Sequence, residues 1–433
     1  MARSAIIRRV TPPRRIAVIG GGPIGLEAAL AARALGWPVT VYEKGEAGAN
    51  VAAWGHVRLF SPFGMNRSGL GRSILAESGA SLPSDDAYLT GAQHRESYLM
   101  PIARHPILRD VVRSRSEVVA IARAGLLKAY VGGDRGAFPF RLLIRDARGA
   151  ERVEEADVMI DASGTFGMPN ALGAGGIPCP GEAAHGAAIS RGLDDVVGRD
   201  RARYEGKRIL LVGGGHSAAT SAIALARLTE EAPATEVTWV ARSTRSPLFV
   251  VDPNDPLPER RAICEAANRI AAGGAPRVRH RGGLEVVELS DAGGGAVLVR
   301  FAGPGGADEI VVDRILANVG SGPDNSLYRE LQVHECYASR GPMKLSAALI
   351  GSAAGAAGAG GDCLTQKSHG PETLKNPEPD FFIIGCKSYG RNPHFLIRVG
   401  IEQIRDVFRI LSGREEFDAT AAPPRGAPAG TKG

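Results

Sequence analysis

Apolar positions along the chain fall into short β-like runs and longer helical stretches, and one arrangement of them occurs twice. From Arg14 to Lys44 the sequence reads RRIAVIGGGPIGLEAALAARALGWPVTVYEK: an apolar run Ile16 to Ile19, a glycine cluster, a helically spaced stretch, then a β-rich run ending in Glu43. From Lys207 to Arg242 it reads KRILLVGGGHSAATSAIALARLTEEAPATEVTWVAR, with the same order of elements. Each copy predicts strand, glycine turn, helix and strand, the opening of a nucleotide-binding unit. Between them SEVVAIAR from Ser116, FPFRLLIRDA from Phe138 and ERVEEADVMIDASG from Glu151 have β character, broken by Gly- and Asp-rich turns. They predict a meander packed on the first unit. A helical run from Glu259 and the strand-like runs VRHRG, LEVVELS, AVLVRFAG and EIVVDRILANVG complete the second unit. From about Asp313 the chain is expected to return to the first unit, with a strand PDFFIIG ending at Gly385 and a helix from about Phe395 to Leu411.

Length changes the picture little: 433 residues accommodate two or three domains. Charge excludes more. Lys plus Arg number 52 against 46 for Asp plus Glu, a formal +6, and 44 of the basic residues are arginines scattered singly or in pairs. Dense basic runs that would bind a phosphate backbone are missing, so no nucleic-acid partner is expected. The five cysteines, Cys179, Cys264, Cys336, Cys363 and Cys386, form no close pair, and their odd number argues against a secreted disulfide framework. A reducing cytoplasm is expected, and no metal site. The first fifteen residues carry two Arg pairs but no apolar core of a signal peptide. Leu345 to Gly361 is uncharged but dominated by Gly and Ala, and it falls short of the ~20 apolar residues of a membrane span. A flexible or small-residue surface segment is the expectation there, with no membrane contact, and residues 418–433 read as a disordered tail.

The glycine turns carry the chemistry. Gly20, Gly22 and Gly25 fill the G-x-G-x-x-G spacing between a strand and a helix. The first permits a tight turn, the second lets a pyrophosphate approach the backbone, and the third packs the helix closely; the helix start then offers N–H groups and dipole to phosphate. Pro23, Ile24 and Lys44 flank the same pocket. Glu43, at the end of the second strand, suits the free diol of an adenosine ribose. In the second copy Gly213, Gly215 and Ala218 fill the positions, with His216 and Ser217 at the helix start, and the second strand ends in Arg242. A guanidinium there suits a 2′-phosphate, with Arg245 assisting, which points to NADPH over NADH.

With these motifs the chain resembles the flavoproteins with two dinucleotide-binding domains, the superfamily of thioredoxin reductase, glutathione reductase and the flavin-containing monooxygenases. The resemblance runs from about Arg15 to Leu411. It adds DASGTFGMPN from Asp161, including Gly164, and ANVGSGPD from Ala317, similar to the segments where such chains leave and re-enter the first domain. It implies an α/β fold of two Rossmann-like, three-layer dinucleotide-binding domains, the NADPH domain inserted into the FAD domain. The boundaries expected are 1–185 and 313–417 for FAD and 186–312 for NADPH. FFIIGCKSYGRNPHF from Phe381 resembles the family's last FAD-contacting strand and turn, where a G-D pair is usual; here Gly385 and Cys386 stand, and Lys387, Ser388 or backbone N–H groups are expected to take the role of the acidic contact. WGHVRLFSPFGMN occupies the stretch that lies along FAD in such proteins, which nominates Trp54, His56 and Val57.

A disulfide reductase of this superfamily needs a dithiol within reach of the flavin, and no close pair is present; Cys363 and Cys386 are the nearest two. The resemblance therefore implies first an NADPH-dependent monooxygenase that oxygenates a small molecule through a peroxyflavin, in N-, S- or Baeyer–Villiger fashion. The monooxygenase motif F-x-G-x-x-x-H is departed from, since Phe166 and Gly167 are adjacent and His185 is too distant. Two alternatives stand: a reductase of a quinone, metalloid or low-molecular-weight disulfide, and a non-catalytic nucleotide-sensing flavoprotein. No general acid or base is identified. A homodimer is the default expectation for the family.

Overall fold

The computed structural model describes residues 14–355 and 368–421. Two parallel sheets of five strands each carry the architecture. The first has the order Phe381–Ile383, Val158–Asp161, Ile16–Ile19, Val39–Tyr42, Val112–Arg113. Its inner strands are covered on both faces, which is why they read as continuous apolar runs. Ile16, Val18, Val41, Val158 and Ile160 point to the helix Pro23–Ala34 and to Ile397–Ser412, which packs beside it. Ala17, Ile19, Met159, Phe381 and Ile383 point the other way, into an antiparallel meander of Ser116–Arg123, Phe140–Asp146 and Glu151–Ala156. Helices, sheet and meander make three layers.

The second sheet repeats the plan, in the order Val278–Gly282, Glu236–Ala241, Arg208–Val212, Arg314–Ala317, Ile189–Ser190. Ile209, Leu211, Val237 and Trp239 face the helices His216–Glu231 and Pro258–Arg269. Leu210, Val212, Val240 and Ile315 face a second meander, Glu285–Gly293, Ala296–Gly303 and Gly306–Val312. The chain passes between the units as two adjacent segments that hydrogen-bond to each other. Asn170 donates its N–H to Gly320 O at 3.0 Å and Gly322 donates to Met168 O at 2.9 Å. A buried Arg123–Glu378–Arg135 cluster, with Nε to Oε1 at 2.8 Å and Nη2 to Oε2 at 2.9 Å, fastens the first meander to the returning chain. Burial pushes the Glu378 carboxyl up, but Arg135, the Gln332 N–H and Arg123 outweigh it and hold the pKa below the ordinary value.

Three expectations need correction. The second unit does not end at residue 312: Asp313 splits EIVVDRILANVG into a meander strand and the parallel strand Arg314–Ala317, which lies inside the second sheet. The small-residue segment expected to be flexible begins as a helix, Met343–Gly355, because Ala and Leu outnumber Gly in its first turns; its remainder, residues 356–361, lies outside the described residues. The tail does not begin at Asp418. Thr420 O accepts the Leu70 N–H at 2.9 Å and Ala419 is buried, while residues 422–433 lie outside the described residues.

Candidate functional site

Each glycine turn lies at the carboxyl edge of its sheet, where a strand ends and a helix begins. Gly20 has φ +97°, and a Cβ there would lie 2.7 Å from Ala162 O, so the exit of strand Val158–Asp161 presses on the turn. A Cβ on Gly25 would lie 1.9 Å from Gly20 O, which seats the helix directly on the turn. Gly22 is the opposite case: a Cβ would meet nothing within 4 Å. The turn is closed behind and open in front, a cradle at the start of a helix whose first turn holds no acidic residue. Pro23 begins that helix, and Ile24 is buried 3.5 Å from where a Gly385 side chain would start. Glu43 is fixed beside it, accepting the N–H of Gly21 at 2.6 Å and of Gly45 at 2.7 Å, with lone pairs left for a diol. Lys44 is exposed and reaches toward Gly167.

The second turn has the same geometry. Gly213 has φ +145° and a Cβ would lie 2.3 Å from Asn318 O; Gly215 is open, with nothing within 4 Å; Ala218 is buried under the turn. The first turn of its helix also lacks acids, and Ser217 is exposed there. Arg242 and Arg245 are exposed beyond the strand end, and neither guanidinium has a carboxylate partner among the described residues. His216 is packed between Phe60 of the first unit, centroids 5.5 Å apart, and Phe249, at 6.1 Å. Burial, aided by the charge of Arg260, lowers its pKa, so it is a neutral ring where the two units meet.

The remaining candidates divide. Trp54 stacks on Phe166, centroids 6.4 Å apart, with its indole N–H buried and unpartnered among the described residues. Gly164, at φ +75°, and Thr165 lie against Cys386, whose Sγ is 4.0 Å from Thr165 Oγ1. These residues gather near the first turn. His56 is exposed and Val57 spends its carbonyl on the Gly91 N–H at 2.8 Å. Lys387 and Ser388 turn inward, contrary to the part of the expectation in which one of their side chains replaces an acidic cofactor contact. Lys387 Nζ donates to Asp161 at 2.6 Å and Ser163 Oγ at 3.1 Å, and Ser388 Oγ donates to Gly385 O at 2.8 Å. Asp161, Ser163 and Gln403, which accepts the Gly385 N–H at 2.8 Å, are site-supporting residues that no local motif announces.

Cys179, Cys264 and Cys336 are buried free thiols, Cys386 is half-buried, and Cys363 lies outside the described residues. Burial raises the Cys386 pKa, so its thiol stays protonated near neutrality. Among the described residues no group of three His, Cys, Asp or Glu is placed to hold a metal ion, and no helix is long and apolar enough to cross a membrane.

The family model for pyridine nucleotide-disulphide oxidoreductases matches residues 15–48, the first glycine turn with its strand and helix. No curated protein sequence matches the chain. Solved structures match over nearly its whole length. The bacillithiol disulfide reductase Bdr (YpdA) of Bacillus cereus is 18% identical, with TM-score 0.66 over 93% of this chain and 99% of that one. DfoA of Erwinia amylovora, a cadaverine monooxygenase solved with FAD, is 10% identical, with TM-score 0.63 over 96% and 99%. The ornithine N-hydroxylase KtzI of Kutzneria sp. 744, solved with reduced FAD, NADP+ and ornithine, is 14% identical, with TM-score 0.61 over 94% and 100%. At such identities the likeness is one of fold: the chain has the architecture of the flavoprotein oxidoreductases with two dinucleotide-binding domains.

Proposed function

We propose that the protein is an NADPH-dependent FAD oxidoreductase and that it works as a monooxygenase on a small molecule. The observation that carries the cofactor assignment is the pair of open turns with opposite partners: Gly22 beside the anchored carboxylate of Glu43, and Gly215 beside the exposed Arg242 and Arg245. FAD fits the first unit, with Gly20, Gly22 and Gly25 at the pyrophosphate and Glu43 at the ribose. NADPH fits the inserted unit, with Gly213, Gly215 and the helix start at His216 on the pyrophosphate and Arg242 on the 2′-phosphate. FAD, once bound, supplies hydride acceptance and reaction with oxygen or another acceptor. The chain's own part is to hold the two dinucleotides and, through Phe60, His216 and Phe249, to make the contact between the two units apolar.

The monooxygenase reading rests on the thiols: among the described residues no cysteine pair stands near the first turn. A disulfide reductase is the second reading, favoured by the half-buried Cys386 beside Thr165. Oxygen consumption separates them. Tight coupling of NADPH oxidation to substrate-dependent oxygen uptake, with no turnover under nitrogen, supports the monooxygenase; full anaerobic turnover with a disulfide or quinone, lost in Cys386→Ser for the disulfide, overturns it.

A further inference from the structure

The first unit contains a fully buried ion pair that the cofactor assignment does not use. Lys387 and Asp161 side chains are 1% and 0% exposed, with Nζ to Oδ2 at 2.6 Å, although 226 residues separate them. Both members have further partners. The ammonium also donates to Ser163 Oγ at 3.1 Å and lies 5.1 Å from the centroid of the Tyr328 ring. Asp161 Oδ1 accepts the Ser163 N–H at 3.1 Å and its hydroxyl at 2.6 Å. Isolating two charges from water is expensive, and apolar residues of similar volume would stabilise the fold as well. The pair's position therefore matters more than its energy.

Asp161 ends the strand whose next two residues, Ala162 and Ser163, form the back wall of the Gly20 turn. Lys387 belongs to the turn Gly385–Tyr389, whose first residue faces Ile24 of the fingerprint helix. One charge pair thus ties together two backbone segments packed on the fingerprint turn and its helix, the strand exit against Gly20 and the Gly385 turn against Ile24. The second unit provides a control. Its back wall, Asn318 against Gly213, is held by a neutral bond from Asn318 Nδ2 to Gly192 O at 2.8 Å, with no buried ion pair among the described residues.

Resting on the FAD assignment above, we propose that Lys387 is a positioning residue: its buried bond to Asp161 and Ser163 clamps the exit segment Ala162–Gly164 and the Gly385 turn around the flavin nucleotide, and so sets FAD affinity without touching NADPH.

The test compares wild type with Lys387→Met/Asp161→Asn, which removes both charges while keeping side-chain volume and the Oδ1 acceptor. Kd for FAD and for NADP+ is measured by fluorescence on deflavinated protein, beside its melting temperature. The expected result is a melting temperature near wild type, FAD Kd raised about tenfold through loss of charge-assisted bonds, and NADP+ Kd unchanged. Ser163→Ala, which deletes only the shared hydroxyl, shifts the FAD to NADP+ ratio the same way by a smaller factor. An unchanged ratio in both variants, or an equal loss for both nucleotides, overturns the clamp. Failure of wild type itself to bind FAD overturns the proposed function instead.

Discussion

The two parallel-sheet units share the packing of their glycine turns and differ in the charge at the strand ends beside them. In each, the first glycine is pressed by the exit of a neighbouring strand, Ala162 on Gly20 and Asn318 on Gly213, and the second is open. The third position separates them: Gly25 has no room for a methyl group, whereas Ala218 carries one in the same place. The strand ends separate them further. Glu43 is pinned by two backbone N–H groups, while Arg242 and Arg245 are exposed, with no carboxylate partner among the described residues. In the function proposed, the shared packing makes a dinucleotide cradle and the charge at the strand end chooses which dinucleotide fits. The first unit is also the more tightly fastened, by Lys387 and Asp161 on one side and by the Arg123–Glu378–Arg135 cluster on the other.

The comparison breaks most visibly at the third glycine. Gly25→Ala places a methyl group 1.9 Å from Gly20 O. Overpacking of that kind costs about 1–3 kcal/mol, and because the strain falls on the turn itself, FAD binding is expected to be lost, as a flavin absorbance spectrum would show. The matching change in the second unit, Ala218→Gly, is expected to cost about 1 kcal/mol of helix stability by thermal denaturation and to leave NADPH binding intact. If both changes abolish binding equally, the two turns are not the different objects described above.

Arg242→Ala is the next largest effect. Loss of a charge-assisted contact of about 1.5–3 kcal/mol predicts a ~10–100-fold rise in KM for NADPH, with KM for NADH nearly unchanged. Steady-state kinetics with both coenzymes decide it, and a parallel rise for NADH would show that Arg242 does not read the 2′-phosphate.

Acid sharpens the contrast in a third way. His94 in the first unit is fully buried, with neither ring nitrogen partnered among the described residues, and burial lowers its pKa from 6.5 to about 4. The unfolded chain therefore takes up the proton first as pH falls. The stability that His94 contributes by staying neutral is complete above about pH 6.5 and is lost progressively as pH drops toward about 4, where the folded protein protonates too. Nearby Glu27 has the opposite slope, because burial raises its pKa above the usual carboxylate value despite the Tyr98 and Ser68 bonds. The informative quantity is the difference between wild type and His94→Phe in denaturant midpoint across that range. It is expected to widen in favour of the variant as pH falls, and a constant difference would show that His94 does not resist protonation in the folded protein.

Both units are legible in the sequence because their determinants are local. Glycine spacing, flanking strands and the terminal Glu43 or Arg242 fall within about thirty residues, the span over which one βαβ unit is written. What is not legible depends on partners far along the chain. Lys387 reads as a charged residue beside a cofactor, and only the fold brings Asp161, 226 positions earlier, to turn it inward. The end of the second unit is hidden for a related reason. EIVVDRILANVG is one β-like run by composition, but Val311 and Val312 pair with the meander whereas Ile315 and Leu316 pair with Leu210 and Leu211. Pattern reports that residues are buried in strands, and it does not say in which sheet.

Whether one chain holds FAD at Glu43 and receives reducing equivalents from NADPH at Arg242 is tested most directly by anaerobic mixing. The FAD-loaded protein is combined with NADPH or NADH while the flavin absorbance is followed. The expected result is bound flavin that NADPH bleaches markedly faster than NADH, with the advantage abolished in Arg242→Ala. Protein that retains no flavin, or flavin that neither coenzyme reduces, would contradict it.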